Sequence, residues 1–438
     1  MTKQAEHPST CEDHDPDPQT ATSTLGLISW ALYDWGGSAF STVIQTFVFA
    51  AYFTRQVAEN EMVGSAQWGN TLSAAAFCVA LGGPVLGAVA DQGGRRKPWI
   101  AAFTLLSVLA TGSLWFIEPS RSFVLPALLL VGLGTVGSEL AVVFYNAMLP
   151  ALVRRKRLGR WSGWGWGLGY VGGLACLVAA LLAFIKPDDP LFGLDRGSAQ
   201  HIRATFVLAA GWYLLFALPL LLFTPDTAAT AKRFPSAVRD GLRQLAGSIR
   251  EVRRYAHIVR FLIARMIYID GLATVFAFGG VYAAGTFGMN EQQVLVFGIW
   301  LNVTAGLGAA AFAWLDDRVG SRRTILFSLA GLTAFATLIL LVHSLELFWT
   351  FGLLLGIFVG PVQASSRSFM AKIAPKSLRN QMFGLYALSG KATSFLGPVL
   401  VGWVTVLANS QRAGMSTIVA FFILGGVLML TVPPAEAH

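Results

Sequence analysis

The sequence predicts an all-α integral membrane protein with twelve transmembrane helices in two pseudo-symmetric six-helix bundles, and three observations carry that prediction. First, 55% of its 438 residues are hydrophobic and only 13% are charged, against roughly 25% charged in ordinary soluble domains. Second, apolar runs long enough to cross a ~30 Å hydrocarbon core at 1.5 Å per residue recur twelve times along the chain. Third, Lys and Arg alternate between the connecting loops, with 21 on one side and six on the other. That bias places the basic loops, and both termini with them, in the cytoplasm. It also accounts for the net charge of +9 by topology, so no nucleic-acid partner is expected.

Residues 1–24 hold one Lys, five acids and many Pro, Ser and Thr, which reads as a disordered acidic cytoplasmic tail rather than a signal peptide. Its "CEDHD" run is read as a solvated charge cluster, and no metal or cofactor is expected. Spans are expected near 26–53, 66–90, 98–117, 123–150, 160–185 and 202–223, forming an N-terminal bundle within 25–224. A cytoplasmic linker follows at 225–256. Spans near 257–284, 291–314, 324–342, 346–372, 380–407 and 413–433 form a C-terminal bundle within 257–438. In the linker Val238, Leu242, Leu245, Ile249 and Val252 recur at helical spacing, while Arg239, Arg243, Arg250, Arg253 and Arg254 take other faces. An amphipathic basic helix on the inner leaflet is expected there, with a solvated linker helix as the alternative. Cys11, Cys78 and Cys176 show no paired spacing and predict neither disulfide nor zinc.

The halves echo each other. D-x-x-G-x-R follows span 2 as Asp91, Gly94 and Arg96, and follows span 8 as Asp317, Gly320 and Arg322. Parallel six-helix repeats around a long central loop are a secondary-transporter architecture. The loop from Gly87 to Lys97, with Arg95 beside Arg96, resembles the signature loop of the major facilitator superfamily; the second copy, ending at Arg323, has Ala313 where the first has Gly87. A closer resemblance runs over nearly the whole chain from residue 29. "WALYDWGGSAF", "FYNAMLP", "GWGLGYVGG", "DGLATVFAFGGVYAAGTFG" and "FGLYALSGKATSFLGP" are similar to the vacuole-effluxer-like permeases, also called the unknown major facilitator family. The resemblance implies the major facilitator fold, alternating access in place of enzyme chemistry, and a central cavity walled by spans 1, 4, 7 and 10. The fungal vacuolar members imply an amino-acid-like substrate.

Six ionisable residues lie well inside the spans: Asp34, Glu139, Arg265, Asp270, Arg367 and Lys391. Five of them are on the implied cavity spans and Lys391 is on span 11. A charge at the bilayer centre costs about 2.5–3.5 kcal/mol or more, so each must pair or meet water. Asp34 lies about eight residues, ~12 Å, into span 1, and Ser38, Ser41 and Gln45 follow it at 4, 3 and 4 residues, within about 40° of one face. Thr135, Glu139 and Asn146 share a face of span 4, and Gln363 and Arg367 one of span 10. The candidate substrate or coupling site is therefore Asp34, Ser38, Gln45, Glu139, Asn146, Asp270, Gln363, Arg367 and Lys391. Its mixed charges suit a zwitterion, and two neighbouring acids would permit a coupling proton. Asp34 is favoured for that proton and Arg367 for a substrate anion. The competing reading is structural: Asp34 with Arg367, or Glu139 with Lys391, as buried pairs that lock helices together. Arg265, nearer the inner loop, is expected to snorkel to the interface.

Gly87, Asp91, Gly94, Arg95, Arg96, Asp317, Gly320, Arg322 and Arg323 are expected to form a cytoplasmic gate, in which Asp91 and Asp317 accept hydrogen bonds from the amino ends of helices in the opposite half. Other motifs fail. The G-x-G-x-x-G at Gly167, Gly169 and Gly172 has no preceding strand, whereas Gly165, Gly169 and Gly173 form a small face for close helix packing. "GLYALSGKA" lacks both the spacing and the Ser/Thr of a phosphate loop. No hydrolase motif is visible. The sequence thus predicts a monomeric, multi-pass secondary transporter of the bacterial inner (plasma) membrane, using a small-molecule substrate and a coupling proton in a lipid bilayer. Its rivals are a membrane-embedded enzyme acting on a lipid or small metabolite and a non-transporting receptor or scaffold.

Overall fold

The computed structural model describes residues 22–187, 191–228, 230, 234–250 and 255–435. The tail expected over 1–24 therefore lies almost wholly outside the described residues. Among the described residues ten helices are continuous, long and apolar enough to cross a membrane. Two further spans are interrupted, which completes the twelve.

Span 1 begins as α1 (Thr24–Ala39), capped by the Ser23 hydroxyl on Gly26 N. It then widens into a π segment, Phe40–Phe47, continues through the short α2 (Phe49–Tyr52), and widens again over Phe53–Val57. Spans 2 to 6 are α3 (Glu61–Gly93), α4 (Lys97–Ser113), α5 (Val124–Leu152), α6 (Leu158–Ala180, extended by a π turn to Ile185) and α7 (Gln200–Phe223). The linker helix is α8 (Phe234–Arg250). Spans 7 to 10 are α9 (Ala256–Phe287), α10 (Glu291–Val319), α11 (Ser321–Leu341) and α12 (Leu345–Ile373). Span 11 is broken: α13 (Arg379–Ser389) stops, residues 390–395 wind as turns, and α14 (Leu396–Ala408) resumes. Span 12 is α15 (Gln411–Leu430).

Within the first half α1 packs on α6 and α7, α4 on α5 and α7, and α3 on α5; within the second α12 packs on α10 and α11, and α15 on α9, α11 and α14. The halves meet along α3 with α13 and α6 with α10. Small residues make those crossings close. At Gly87 an added Cβ would collide with the Asn380 carbonyl, and at Gly384 with the Gly83 carbonyl. Outward faces carry exposed Leu81, Leu109, Leu129, Leu215, Leu307 and Leu424, a surface suited to acyl chains rather than water.

The repeated loop glycines have a backbone reason. Gly94 (φ 81°) ends α3 and Gly320 (φ 89°) ends α10, both at positive φ, where a Cβ is disfavoured. The linker helix α8 packs on the bundle through its smallest residues. The face of α8 turned to the bundle is Ala237–Gly241–Gln244, one residue round from Val238–Leu242–Leu245. A Cβ at Gly241 would lie 2.9 Å from the backbone of Ala88 and Val89, Ala237 is buried, and Leu242 is exposed. A tight helix crossing selects small residues, and Leu245 beside it lines an apolar cavity with Ile258 and Leu385. The side chains of Ile249 and Arg250, and residues Val252, Arg253 and Arg254, fall outside the described residues. Arg203 is buried in the first turn of α7 over the Trp115 ring, 3.7 Å from Glu118.

Candidate functional site

The polar faces of spans 1, 4 and 10 converge on a cavity of about 270 Å³ lined by Asp34, Ser38, Gln45, Glu139, Asn146 and Arg367, with Ser41, Thr42, Trp166, Tyr170 and Asn302 beside them. The π winding over Phe40–Phe47 sets the face that span 1 presents there. Within it Thr46 donates to the Ser41 carbonyl at 2.9 Å, and Gln45 Nε2 reaches Thr135 Oγ1 at 3.0 Å. Such wide turns are concentrated at functional sites.

Both pairings named by the structural alternative are present, and both cross between the halves. Arg367 Nη1 on α12 meets Asp34 Oδ2 on α1 at 3.0 Å; Lys391 Nζ in the span 11 break meets Glu139 Oε1 on α5 at 2.8 Å. Their surroundings differ. Arg367 is 2% exposed; it donates from Nε to Ser162 Oγ (2.9 Å), from Nη2 to Ser162 O (2.6 Å) and from Nη1 to Asn146 Oδ1 (3.2 Å) as well as to Asp34. Four of its five N–H donors are thus committed to the other half. The rings of Trp30, Tyr145 and Trp166 surround the guanidinium at 5.2–5.7 Å, within cation–π range. This saturation argues against Arg367 as the free anchor for a substrate anion. Glu139 and Lys391, by contrast, are each about one-third exposed (31% and 32%).

Tyr145 and Ser162 were missed by sequence reasoning. Tyr145 donates to Asp34 Oδ2 at 2.8 Å while stacking on Trp30 at 4.6 Å; its adjacency to Asn146 in "FYNAMLP" was the available signal. The small face of α6 behaves as expected. Gly165 lies against the Asp34–Arg367 pair, where a Cβ would fall 2.8 Å from Asp34 Oδ2, and Gly169 lies against Ser38.

Gln363 stands just outside, donating to Tyr170 OH at 3.1 Å. Asp270 does not line this cavity; it is buried on α9 against α14. Arg265 does not snorkel. It is buried, with Nη1 donating to Tyr386 O and Ser389 Oγ, both at 2.7 Å. The break in span 11 exposes the carboxyl end of α13 within the membrane, and Arg265 caps it.

At the basic-loop end the halves are fastened by two reciprocal contacts. Asp91 Oδ1 on α3 accepts from Asn380 N (3.0 Å) and Nδ2 (2.8 Å), and Oδ2 from Gln381 N (2.9 Å), at the amino end of α13. Asp317 Oδ1 on α10 accepts from Arg160 N at 3.2 Å, in the first turn of α6, with Arg160 Nε 3.4 Å from Oδ2. Arg96 is buried and donates from Nε to Asn380 Oδ1 at 2.8 Å. Arg322 departs from the repeat by bonding Leu430 O at 2.7 Å, and Arg95 and Arg323 are exposed. Two further parts went unread. Asp316 is buried and takes Ser321 Oγ and Ser368 Oγ at 2.5 Å and Lys372 Nζ at 3.1 Å. Gln244 of α8 links Gln92 of α3 to Gln381 of α13.

Known proteins match this architecture. The family model "Vacuole effluxer Atg22 like" covers residues 70–437. An uncharacterized MFS-type transporter, YxiO of Bacillus subtilis, is 28% identical over 411 residues, spanning 92% of this chain and 94% of that protein. Autophagy-related protein 22 of Coccidioides immitis is 23% identical over 424 residues, 79% and 69% of the two chains. Among solved structures the E. coli fucose:proton symporter superposes with a TM-score of 0.69 at 13% identity, over 93% of this chain and 98% of that one. The chain is thus a multi-pass membrane transporter, not an enzyme, and it belongs to the Atg22-like vacuole-effluxer family of the major facilitator superfamily.

Proposed function

We propose that the protein, acting as a monomer, carries a small zwitterionic, amino-acid-like metabolite by alternating access driven by a proton gradient. The observation that carries this is the one-third-exposed Glu139–Lys391 pair, in which Glu139 lines the polar cavity of about 270 Å³ and Lys391 reaches Glu139 from the other half. That volume lies just below the ~300–1,000 Å³ of cavities for drug-sized molecules, as a smaller metabolite requires. A bound zwitterion offers its ammonium to Glu139 and its carboxylate to Lys391, exchanging one cross-half pair for two ligand-bridged ones. Asp34 and Arg367, already satisfied by each other, hold the floor of the site. Proton symport is the description of the E. coli fold neighbour and supports the proposed driving force.

A ligand that binds only the folded protein at a hundred times its Kd stabilises it by about 2.7 kcal/mol. A thermal-shift screen of amino acids, betaines, peptides and sugars should therefore find stabilisation among the zwitterions, absent from Lys391→Gln and Glu139→Gln. Stabilisation by sugars alone, or by zwitterions equally in both variants, would overturn the reading.

The orientation proposed is termini inward in a bacterial inner (plasma) membrane, in keeping with the loop charges and the bacterial relative. A cysteine at position 61 should react with an impermeant reagent from outside, and one at position 240 only after permeabilisation. The reverse pattern would invert the topology.

A further inference from the structure

Arg265 and Asp270 stand five residues apart on α9, and both face the interruption of span 11. Arg265 closes its carboxyl side, lying 3.5 Å over the Tyr386 ring while capping α13. The other side holds an acid. Asp270 is 2% exposed, and its carbonyl and the Thr274 hydroxyl occupy the space where a side chain at Gly397, in the first turn of α14, would go. Asp270 Oδ1 is buried without a hydrogen-bond partner, and so is Thr393 Oγ1 within the break.

The neighbours supply no counter-charge. Tyr268 is tied to Ser366 at 2.7 Å, and α15 faces this stretch with Phe421 and Phe422. Arg265 and Tyr386 sit at the far end of the break, and Lys391 within it is engaged by Glu139. Among the described residues no cluster of three carboxylate, His or Cys groups offers a metal site. A buried carboxylate with no cation beside it is too costly to leave charged on the strength of a single hydroxyl such as that of Thr393. One proton on Asp270, donated to Thr393 Oγ1, satisfies both orphaned oxygens at once.

We propose that Asp270, not Asp34, binds and releases the coupling proton, and that the span 11 break converts its charge into movement of Lys391. When the proton leaves Asp270 Oδ1, a bare carboxylate remains beside Thr393, two residues from Lys391. The break must then turn amide N–H groups or the Lys391 ammonium toward it. Either response draws Lys391 away from Glu139, loosening one of the two charge pairs that join the halves at the cavity, apart from Asp317 with Arg160 at the basic-loop end. Asp34 cannot serve in this way, because its charge is already matched by Arg367 at 3.0 Å.

This inference rests on the reading of the protein as proton-driven, and the test separates the two using protons themselves as the probe. Infrared pH titration of the purified protein in lipid should show a protonated-carboxyl band that bleaches as pH rises. The band should vanish in Asp270→Asn, remain in Glu139→Gln, and shift in Thr393→Val, which removes the acceptor. Spin labels at positions 95 and 377, on either side of the basic face, should change separation over the same pH range in otherwise unsubstituted protein but not in Asp270→Asn. If the separation never responds to pH, proton coupling and the proposal fall together. If it responds equally in Asp270→Asn, the proposal alone falls. A response to sodium against choline at constant pH, lost in Asp270→Asn, would assign the nook to a metal cation and overturn the proton.

Discussion

Arg367→Ala should abolish both counterflow and gradient-driven uptake in reconstituted vesicles, and Asp34→Asn should cost about 3–5 kcal/mol of stability, the usual penalty for stripping one partner from a buried ion pair. The reason is that Arg367 is held wholly from the other half, by Asp34, Asn146 and both oxygens of Ser162. Neutralising Asp34 leaves a guanidinium that is 2% exposed with a neutral amide where its counter-ion stood. The double variant Asp34→Asn/Arg367→Gln removes both charges, so thermal unfolding should show it more stable than Asp34→Asn alone. It should remain inactive, since neutral amides do not rebuild the cross-half tie. Radiolabelled counterflow of the ligand found by thermal shift provides the activity readout. Asp34→Asn unfolding like the parent protein would show that the pair carries none of this tension.

Asp91→Asn and Asp317→Asn should each shift the population toward opening at the basic-loop end, by about thirtyfold for Asp91. Asp91 accepts two backbone N–H groups and one side-chain amide at the start of α13. An asparagine keeps one acceptor oxygen but turns an NH₂ toward an N–H donor. Losing one charge-assisted bond costs about 2 kcal/mol, and each 1.4 kcal/mol is tenfold. Asp317 makes one backbone bond and a looser approach to Arg160, so its effect should be smaller. Spin labels at the exposed positions 95 and 377 should report longer separations in the first variant above all. Unchanged separations in both would show that these loops do not gate the transporter.

Much of this was legible because hydrocarbon narrows the choices. Spans follow from apolar length, and an intramembrane charge must find a partner, so Asp34–Arg367 and Glu139–Lys391 could be named as candidate pairs. Reciprocity at Asp91 and Asp317 followed from their repeated position before a helix end. The failures share a cause: spacing shows which way a side chain points on an unbroken helix, not where the helix stops. "SGKATSF" reads as ordinary span, so the end of α13 was invisible, and with it the need for Arg265 as a cap. Asp270 was assigned to the central cavity because the resemblance puts span 7 on its wall, whereas it is buried against α14 beyond the break. In the linker, periodicity picked out the bulky apolar face of α8, but a close crossing rewards absent side chains, and Gly241 carries no hydrophobic signal.

The widened winding of span 1 has its own consequence. A π turn accommodates one residue more than an α turn, so the segment Phe40–Phe47 holds its surplus as a movable defect. Were that surplus passed along the helix, everything beyond it would swivel by one residue, about 100°. Gln45 faces the polar cavity and Thr46 the apolar cavity of about 630 Å³ toward the opposite end, which also reaches Asn302. A single slip of register would exchange the wall that each chamber sees, without breaking the helix or moving the floor at Asp34.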